Sequence, residues 1–112
     1  MPLSFFQLDN LLKQRVAFFM FSWVDLSVLN YAAMEKRHLE QIMIPMPAGS
    51  GMSDLQKQFT EKAIQKNAPI ILIDEDGIET RELALTLEEQ GYINVFWILD
   101  GLKGLTKEKA GR

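Results

Sequence analysis

Runs of mostly apolar residues without helical spacing predict four β-strands in this chain. The runs are rich in β-branched and aromatic side chains, and Pro45 closes the second of them. They lie at residues 16–24, 41–45, 68–73 and 93–99. A run of this length and composition is typical of a strand that is buried on both faces of a sheet.

Between these runs, apolar residues recur every three or four positions, which predicts helices. The predicted helices lie at residues 4–13, 27–37, 53–67 and 76–90. Their predicted N-terminal caps are the capping boxes Ser4-x-x-Gln7, Ser53-x-x-Gln56 and Asp76-x-x-Glu79 and, for the second helix, Ser27. Gly91 is placed to end the last helix, because glycine readily adopts the left-handed conformation found there.

Strands that are separated by helices form βαβ units, so we expect an α/β fold. Such units give a central, mainly parallel sheet with helices on both faces. The chain has 112 residues, a length typical of one domain. Residues 1–112 are therefore predicted to form a single domain, with residues 103–112 as a polar tail.

The amino-acid composition excludes several kinds of site and partner. The chain has no cysteine and a single histidine, His38, so it cannot build disulfides, thiolate metal sites or a thiol nucleophile. Its formal net charge of −3 argues against nucleic acid as a partner. The start lacks a basic secretory region, and the longest apolar run is far short of the ~20 residues that span a bilayer. We therefore expect a cytoplasmic protein without a membrane partner.

The stretch "IILIDEDGIETR" at residues 70–81 carries the most informative chemistry. A strand runs into three acids and Gly77, and a helix follows. In α/β proteins this junction is a common place for an active site. Free backbone N–H groups and the helix dipole normally attract anions there, yet the loop is itself negatively charged.

The second half of the chain resembles a rhodanese-like domain. That family has an apolar strand, a loop of the form C-x-x-G-x-R-S, and a helix that ends in Gly-Tyr or Gly-Phe before "nVyvLdGGl". Here "IILI" is followed by "DEDGIET", and the next helix ends in "EEQGYINVFWILDGLKGL". His38 with "IMIP" at 42–45 resembles the family's "GHIPGAiNIP". The resemblance spans residues 4–105, is specific over 68–104, and implies a rhodanese-like three-layer fold.

The sequence differs from the family's pattern at the residues that carry the family's catalytic chemistry. Asp74 stands at the position of the catalytic cysteine, Glu79 at that of the arginine and Thr80 at that of the serine. A carboxylate cannot carry a persulfide, so sulfurtransferase and cysteine-phosphatase activities are excluded. The vestigial active-site loop comprises Asp74, Glu75, Asp76, Gly77, Ile78, Glu79 and Thr80. No catalytic residue and no cofactor are predicted.

The resemblance implies an inactive homologue of a sulfurtransferase that serves as a binding or regulatory module. Its partner would be a protein or a small ligand. The local charge indicates a basic peptide or an amine, bound through Asp74, Glu75 and Glu79. The sequence leaves the partner's identity and the oligomeric state open. Phe6 and Trp23 fall outside the apolar faces, and if exposed together they would mark a partner surface.

Two alternatives come from other classes of protein. The stretch from residue 69 to 95 also resembles the first strand and helix of a receiver domain, which would bind Mg²⁺ at Asp74, Glu75 and Asp76. A circularly permuted receiver would take Asp25 as its phospho-acceptor. The other alternative is a hydrolase with Asp74 as nucleophile. The simpler interpretation of the three acids is a capped, solvated loop, and His38 is expected to be structural.

Overall fold

The fold is that of a computed structural model, which describes residues 1–25 and 33–104, with the backbone alone at residues 5 and 33–36. Five strands lie within these residues: β1 (Pro2–Leu3), β2 (Phe19–Ser22), β3 (Met43–Pro45), β4 (Ile70–Ile73) and β5 (Val95–Ile98). They are joined by the helices α1 (Phe5–Lys13), α2 (Ala33–Ile42), α3 (Met52–Glu61) and α4 (Ile78–Glu89). No helix in the described ranges is long and apolar enough to cross a bilayer.

The strands form one parallel sheet in the order β1-β5-β4-β2-β3. From β2 the chain moves outward to β3, returns to β4 on the other side of β2, and continues outward to β5. The order therefore reverses between β2 and β4, where Phe21 pairs with Leu72. In open parallel sheets such a reversal leaves a crevice beyond the carboxyl ends of the two strands, which is where ligands bind.

Two apolar layers cover the sheet and place it at the centre of a three-layer α/β fold. Met20 and Ile71 face the layer that contains α1 and α2, whereas Phe21 and Leu72 face the layer that contains α3 and α4. Successive strand residues point to opposite faces, so the all-apolar "IILI" of β4 fills both cores and is buried throughout. The predicted fold class is confirmed.

The first capping box is confirmed, because Gln7 N–H donates to Ser4 Oγ and Ser4 N–H donates to Gln7 Oε1. The prediction for the third helix was wrong. That helix begins after Gly51, whose N–H donates to the carboxylate of Asp54 at 3.2 Å. A carboxylate in the first helical turn meets an unpaired backbone donor directly, so the box starting at Ser53 is not used.

Several predicted boundaries shift. The strand predicted at 16–24 contracts to β2, and residues 41 and 42 end α2 instead of beginning a strand. The helix predicted to reach residue 67 ends at Glu61, because Ala63 adopts a left-handed φ of 51° that a helix cannot continue through. Strand β1 was not predicted, since two residues carry no periodicity. Ser27 and most of the second predicted helix lie outside the described residues.

Candidate functional site

A cavity of about 380 Å³ opens at the carboxyl ends of β2 and β4, in the crevice where the strand order reverses. We call it the acidic cleft. It is lined by Trp23, Val24, Ala48, Gly49, Asp74, Glu75, Asp76, Ile78 and Glu79. The loop after β4, the residues after β2 and the loop before α3 thus each contribute one wall.

Asp74 holds the amino end of α4 through its side chain. The Gly77 N–H donates to Asp74 Oδ1 at 2.7 Å, and the Thr80 hydroxyl donates to the same oxygen at 3.0 Å. The Thr80 N–H donates to Asp74 Oδ2 at 3.2 Å. The side chain is 8% exposed, so these bonds satisfy a nearly buried carboxylate. The first turn of a helix offers free N–H groups and a positive dipole end, and here a carboxylate of the same chain uses them.

Asp76 and Gly77 shape the turn into α4. Asp76 Oδ1 accepts from the Ile78 N–H at 3.0 Å, while Gly77 is the N-cap with φ of 82°. The predicted capping box with Glu79 is therefore replaced by local bonds to two aspartates. A side chain at Gly77 would lie 2.9 Å from the Ile98 carbonyl oxygen, so both the conformation and the space require glycine.

The back of the acidic loop is fixed to the segment after β5. Leu102 N–H donates to the Asp74 carbonyl at 2.8 Å, and Lys103 N–H donates to the Glu75 carbonyl at 3.1 Å. Gly101 lies so close to this loop that a Cβ there would overlap the Asp74 carbonyl oxygen. The "LDGLKG" motif thus supports the loop from behind, while Glu75, Asp76 and Glu79 on its other side are exposed.

The opposite wall is anchored by Trp23. Its N–H donates to the Ile73 carbonyl at 3.0 Å, and its indole Nε1–H donates to the Ser50 carbonyl at 2.9 Å. Met46 N–H donates to the Ser22 carbonyl at 2.7 Å. These bonds tie the loop before α3 to the ends of β2 and β4. Trp23 packs against the α3–α4 side of the sheet, whereas Phe6 lies on α1, so the two do not form the shared surface considered above.

The cleft carries an excess of negative charge. Glu75, Asp76 and Glu79 are exposed, and within the described residues none of them forms an ion pair. No lysine or arginine of the described chain lines the cavity. Like charges gathered at a concave surface raise the local concentration of counter-ions. The cleft therefore favours a cationic group and disfavours thiosulfate or phosphate.

The remaining candidate residues lie apart from this arrangement. In the described part of the chain, no three His, Asp or Glu side chains come together as a metal-binding group. His38 lies on α2, and its buried Nε2 has no hydrogen-bond partner among the described residues. Asp25 is exposed three positions beyond β2. Neither residue lines the acidic cleft.

Sequence reasoning found the loop after β4 but not its neighbours. Trp23 and Val24 follow β2, and Ala48 and Gly49 follow β3, so they reach the cleft because β4, β2 and β3 are neighbours in the sheet. The signal that could have found them is the reversal of strand order, which brings the residues following two particular strands together. Ile78 was named as part of the loop but not as an exposed apolar residue at its rim.

Comparisons with known proteins agree with this geometry at the level of the fold. No family model matches the chain, and no curated protein matches it. Among solved structures, it is similar to the rhodanese-like domain of an Anabaena protein, determined by NMR in solution. The TM-score is 0.64 at 14% sequence identity, and the match covers 96% of this chain and 74% of that one. The chain therefore has the rhodanese-like fold, without any cysteine to act as a nucleophile.

Proposed function

We propose that this chain is a non-catalytic binding module whose acidic cleft holds the cationic group of a partner, an ammonium or a guanidinium. One observation carries the proposal. The anion position at the amino end of α4 is filled by Asp74, while Glu75, Asp76 and Glu79 surround the opening. A ligand that enters this cleft meets acceptors and negative charge, and the N–H groups of Gly77, Ile78 and Thr80 at the helix start already donate to aspartates of the loop.

The side chains divide into two groups with different roles. Both oxygens of Asp74 already accept hydrogen bonds from α4, so Asp74 contributes charge and holds the wall in place. Direct contact with a cation falls to Glu75 and Glu79, which are exposed. A carboxylate paired with an ammonium or guanidinium forms a charge-assisted hydrogen bond, which is shorter and stronger than a neutral one.

Trp23 adds a second kind of affinity for cations. The face of an indole attracts an ammonium or guanidinium, by about 0.5–2 kcal/mol depending on solvation. Its Nε1–H is bonded to Ser50, which fixes the ring at the cavity wall. A site built from carboxylates and one aromatic ring therefore suits lysine, arginine or a simple amine.

The test uses Trp23 as its reporter. In a Trp97→Phe background, Trp23 is the only tryptophan, and its fluorescence follows titration with a short lysine- and arginine-containing peptide. We expect saturable binding that weakens as salt is added. The double variant Glu75→Gln/Glu79→Gln should bind the peptide with an affinity that is lower by about tenfold or more. The matched control is Glu61→Gln/Glu89→Gln, which removes the same charge outside the cleft. Equal binding by the two double variants would refute the proposal.

A receiver-like cation-binding domain is the second candidate, because the sheet topology is compatible with it. Counted from the β3 edge, the strand order is 3-2-4-5-1, a circular permutation of the order 2-1-3-4-5 found in receivers. In that permutation β4 takes the place of the receiver's third strand, whereas residues 69–95 resemble the first, so the topology supports only that Asp25 and Asp74 follow two adjacent strands. The hydrogen bonds that occupy Asp74 weigh against it as a ligand or a nucleophile. Chemical-shift changes at Asp74–Asp76 on adding Mg²⁺ and beryllofluoride would favour this candidate.

An enzyme with Asp74 as nucleophile is the third possibility raised by the sequence. Attack requires a carboxylate oxygen that can approach an electrophile. Asp74 is 8% exposed, and its carboxylate oxygens accept from the N–H groups of Gly77 and Thr80. Turnover of a phosphate ester or haloalkane that disappears in Asp74→Asn would support the enzyme and contradict the binding module.

A further inference from the structure

We propose, resting on the proposed function, that the partner is a peptide segment that carries a large aliphatic side chain beside its basic residue. The reason is a second cavity of about 410 Å³ that continues from the acidic cleft along α4. We call it the apolar groove. It is lined by Gly49, Ser50, Gly51, Met52, Ile78, Glu79, Glu82, Leu83 and Thr86.

One face of α4 forms the first wall of the groove. Ile78, Glu82 and Thr86 lie at helical spacing on that face, away from the side that packs on the sheet through Thr80, Ala84 and Leu87. Leu83 lies at the border of the two sides, half-buried against the core. Ile78 is 65% exposed although it is a large aliphatic residue. An exposed aliphatic side chain within a groove indicates a surface that another molecule can cover.

The second wall is the loop that precedes α3. Gly49 and Gly51 have open space where a Cβ would lie, with no atom within 4 Å. Trp23 holds this loop through the carbonyl of Ser50. The wall is therefore anchored at one point, yet it leaves room for another polypeptide backbone to approach.

The two cavities form one continuous surface. Gly49, Ile78 and Glu79 line both of them. A single extended segment can thus place a basic side chain in the acidic cleft and the neighbouring apolar side chain in the groove. A small amine would fill the cleft alone and leave Ile78 exposed to water.

Charge complementarity indicates that the occupant carries positive charge along the whole surface. Glu75, Asp76 and Glu79 surround the cleft, and Glu82 continues the negative charge beside the groove. Neither lining contains a lysine or arginine from the described residues. An acidic or neutral aliphatic peptide would meet this charge without compensation, so the occupant is basic as well as apolar.

Matched peptides separate this inference from the proposed function. The full chain with Trp97→Phe is titrated with acetyl-Gly-Lys-Leu-Arg-Gly-amide, with the same peptide carrying Ser in place of Leu, and with N-acetyl-lysine amide. We expect the Leu peptide to bind about tenfold more tightly than the Ser peptide. Ile78→Ser should abolish the preference for the Leu peptide over the Ser peptide. Because Ile78 also lines the acidic cleft, this ratio of affinities is the readout, with N-acetyl-lysine amide as the reference for any change in the cleft itself.

The control variant is Leu85→Ser, which removes an exposed aliphatic residue of the same helix outside the groove. It should bind the Leu peptide like the parent chain. Equal affinity for the Leu and Ser peptides would overturn this inference. If both peptides also bind more weakly to Glu75→Gln/Glu79→Gln, the proposed function still stands. No effect of those two glutamates would overturn both.

Two other occupants give distinct results. The basic residues Lys107, Lys109 and Arg112 of this chain could compete for the same acids. If their replacement by Gln in the full-length chain produces peptide binding that the parent chain lacks, the chain's own end is the occupant, and the partner peptide is ruled out. Dimerisation that is abolished by Ile78→Ser would likewise identify a second copy as the occupant.

Discussion

Thr80 donates twice to the carboxylate of Asp74, through its hydroxyl at 3.0 Å and through its backbone N–H at 3.2 Å. Both side chains are buried or nearly so, at 1% and 8% exposure. The pair joins the end of β4 to the first turn of α4, six residues along the chain. The loop between them, which carries the exposed acids of the cleft, is therefore held at both ends.

Removing the hydroxyl of Thr80 should destabilise the fold. Thr80→Val keeps the shape of the side chain but leaves one bond to a charged acceptor unmade, so we expect a loss of about 1–2 kcal/mol in the free energy of unfolding. Urea denaturation measures this loss. The control is Thr86→Val, an exposed position on the same helix, which should change stability by less than about 0.5 kcal/mol.

Removing the carboxylate itself should cost more. Asp74→Ala deprives three donors of their acceptor at a helix start, and we expect a loss of about 2–4 kcal/mol. In that background, Thr80→Val should have little further effect because its partner is already absent. A double-mutant cycle should therefore give a coupling of about 1 kcal/mol. Simple additivity would mean that the two side chains act independently.

Two glycines with similar backbone angles separate conformational strain from lack of space. Gly49 has φ of 79° and Gly77 has φ of 82°. Gly49→Ala should cost about 1–2 kcal/mol, the penalty for placing an L-residue in the left-handed region. Gly77→Ala should cost about 1–3 kcal/mol more, because its Cβ would press against the backbone of the segment after β5. Thermal denaturation of the two variants gives the difference.

Restoring a cysteine at the family's position should not restore its chemistry. In Asp74→Cys, thiosulfate must still pass Glu75, Asp76 and Glu79, whose charge repels it. We expect no transfer of sulfur from thiosulfate to cyanide in the standard coloured thiocyanate assay. Measurable activity should require Glu79→Arg as well, since that change supplies a cation at the entrance. Activity of the single variant would show that the acids do not control access.

Vacating the amino end of α4 should create a site for a free anion. In Asp74→Ser/Glu79→Gln the carboxylate is absent and a nearby repulsive charge is gone. We expect sulfate to stabilise this variant by about 1 kcal/mol when its concentration is roughly five times the dissociation constant. The parent chain should show no specific effect of sulfate beyond that of sodium chloride at equal ionic strength.

The sequence was informative where local chemistry determines structure. The strand β4 is apolar at every position, and Gly77 and the "LDGLKG" motif are distinctive, so the fold class followed from them. The partners of Asp74 were not predictable in the same way. The sequence places a free acid at the family's nucleophile position, whereas the bonds from Gly77 and Thr80 depend on how the first turn of α4 is oriented.

Only the part of the acidic cleft that lies in the loop after β4 could be predicted from the sequence, for a related reason. Glu75 lies in the loop after β4 and Glu79 in the first turn of α4, and both were expected to face a ligand, a prediction that remains to be tested. Trp23 follows β2 and Gly49 follows β3, and only the neighbouring positions of β4, β2 and β3 in the sheet bring them beside the acids. Spacing along one chain cannot reveal which strands are neighbours when the order reverses within the sheet.

The carboxylate of Asp74 differs from a bound anion in one respect, because it is covalently attached to the helix end that it occupies. Its effective concentration at the N–H groups of Gly77 and Thr80 is that of an intramolecular ligand, on the order of millimolar or far above when the linker is short and ordered. A free anion such as sulfate or phosphate must displace this attached carboxylate before it can bind there. The occupancy of that position therefore does not depend on the concentration of a free anion, and the proposed cationic ligand would meet the same cleft wall at any anion concentration.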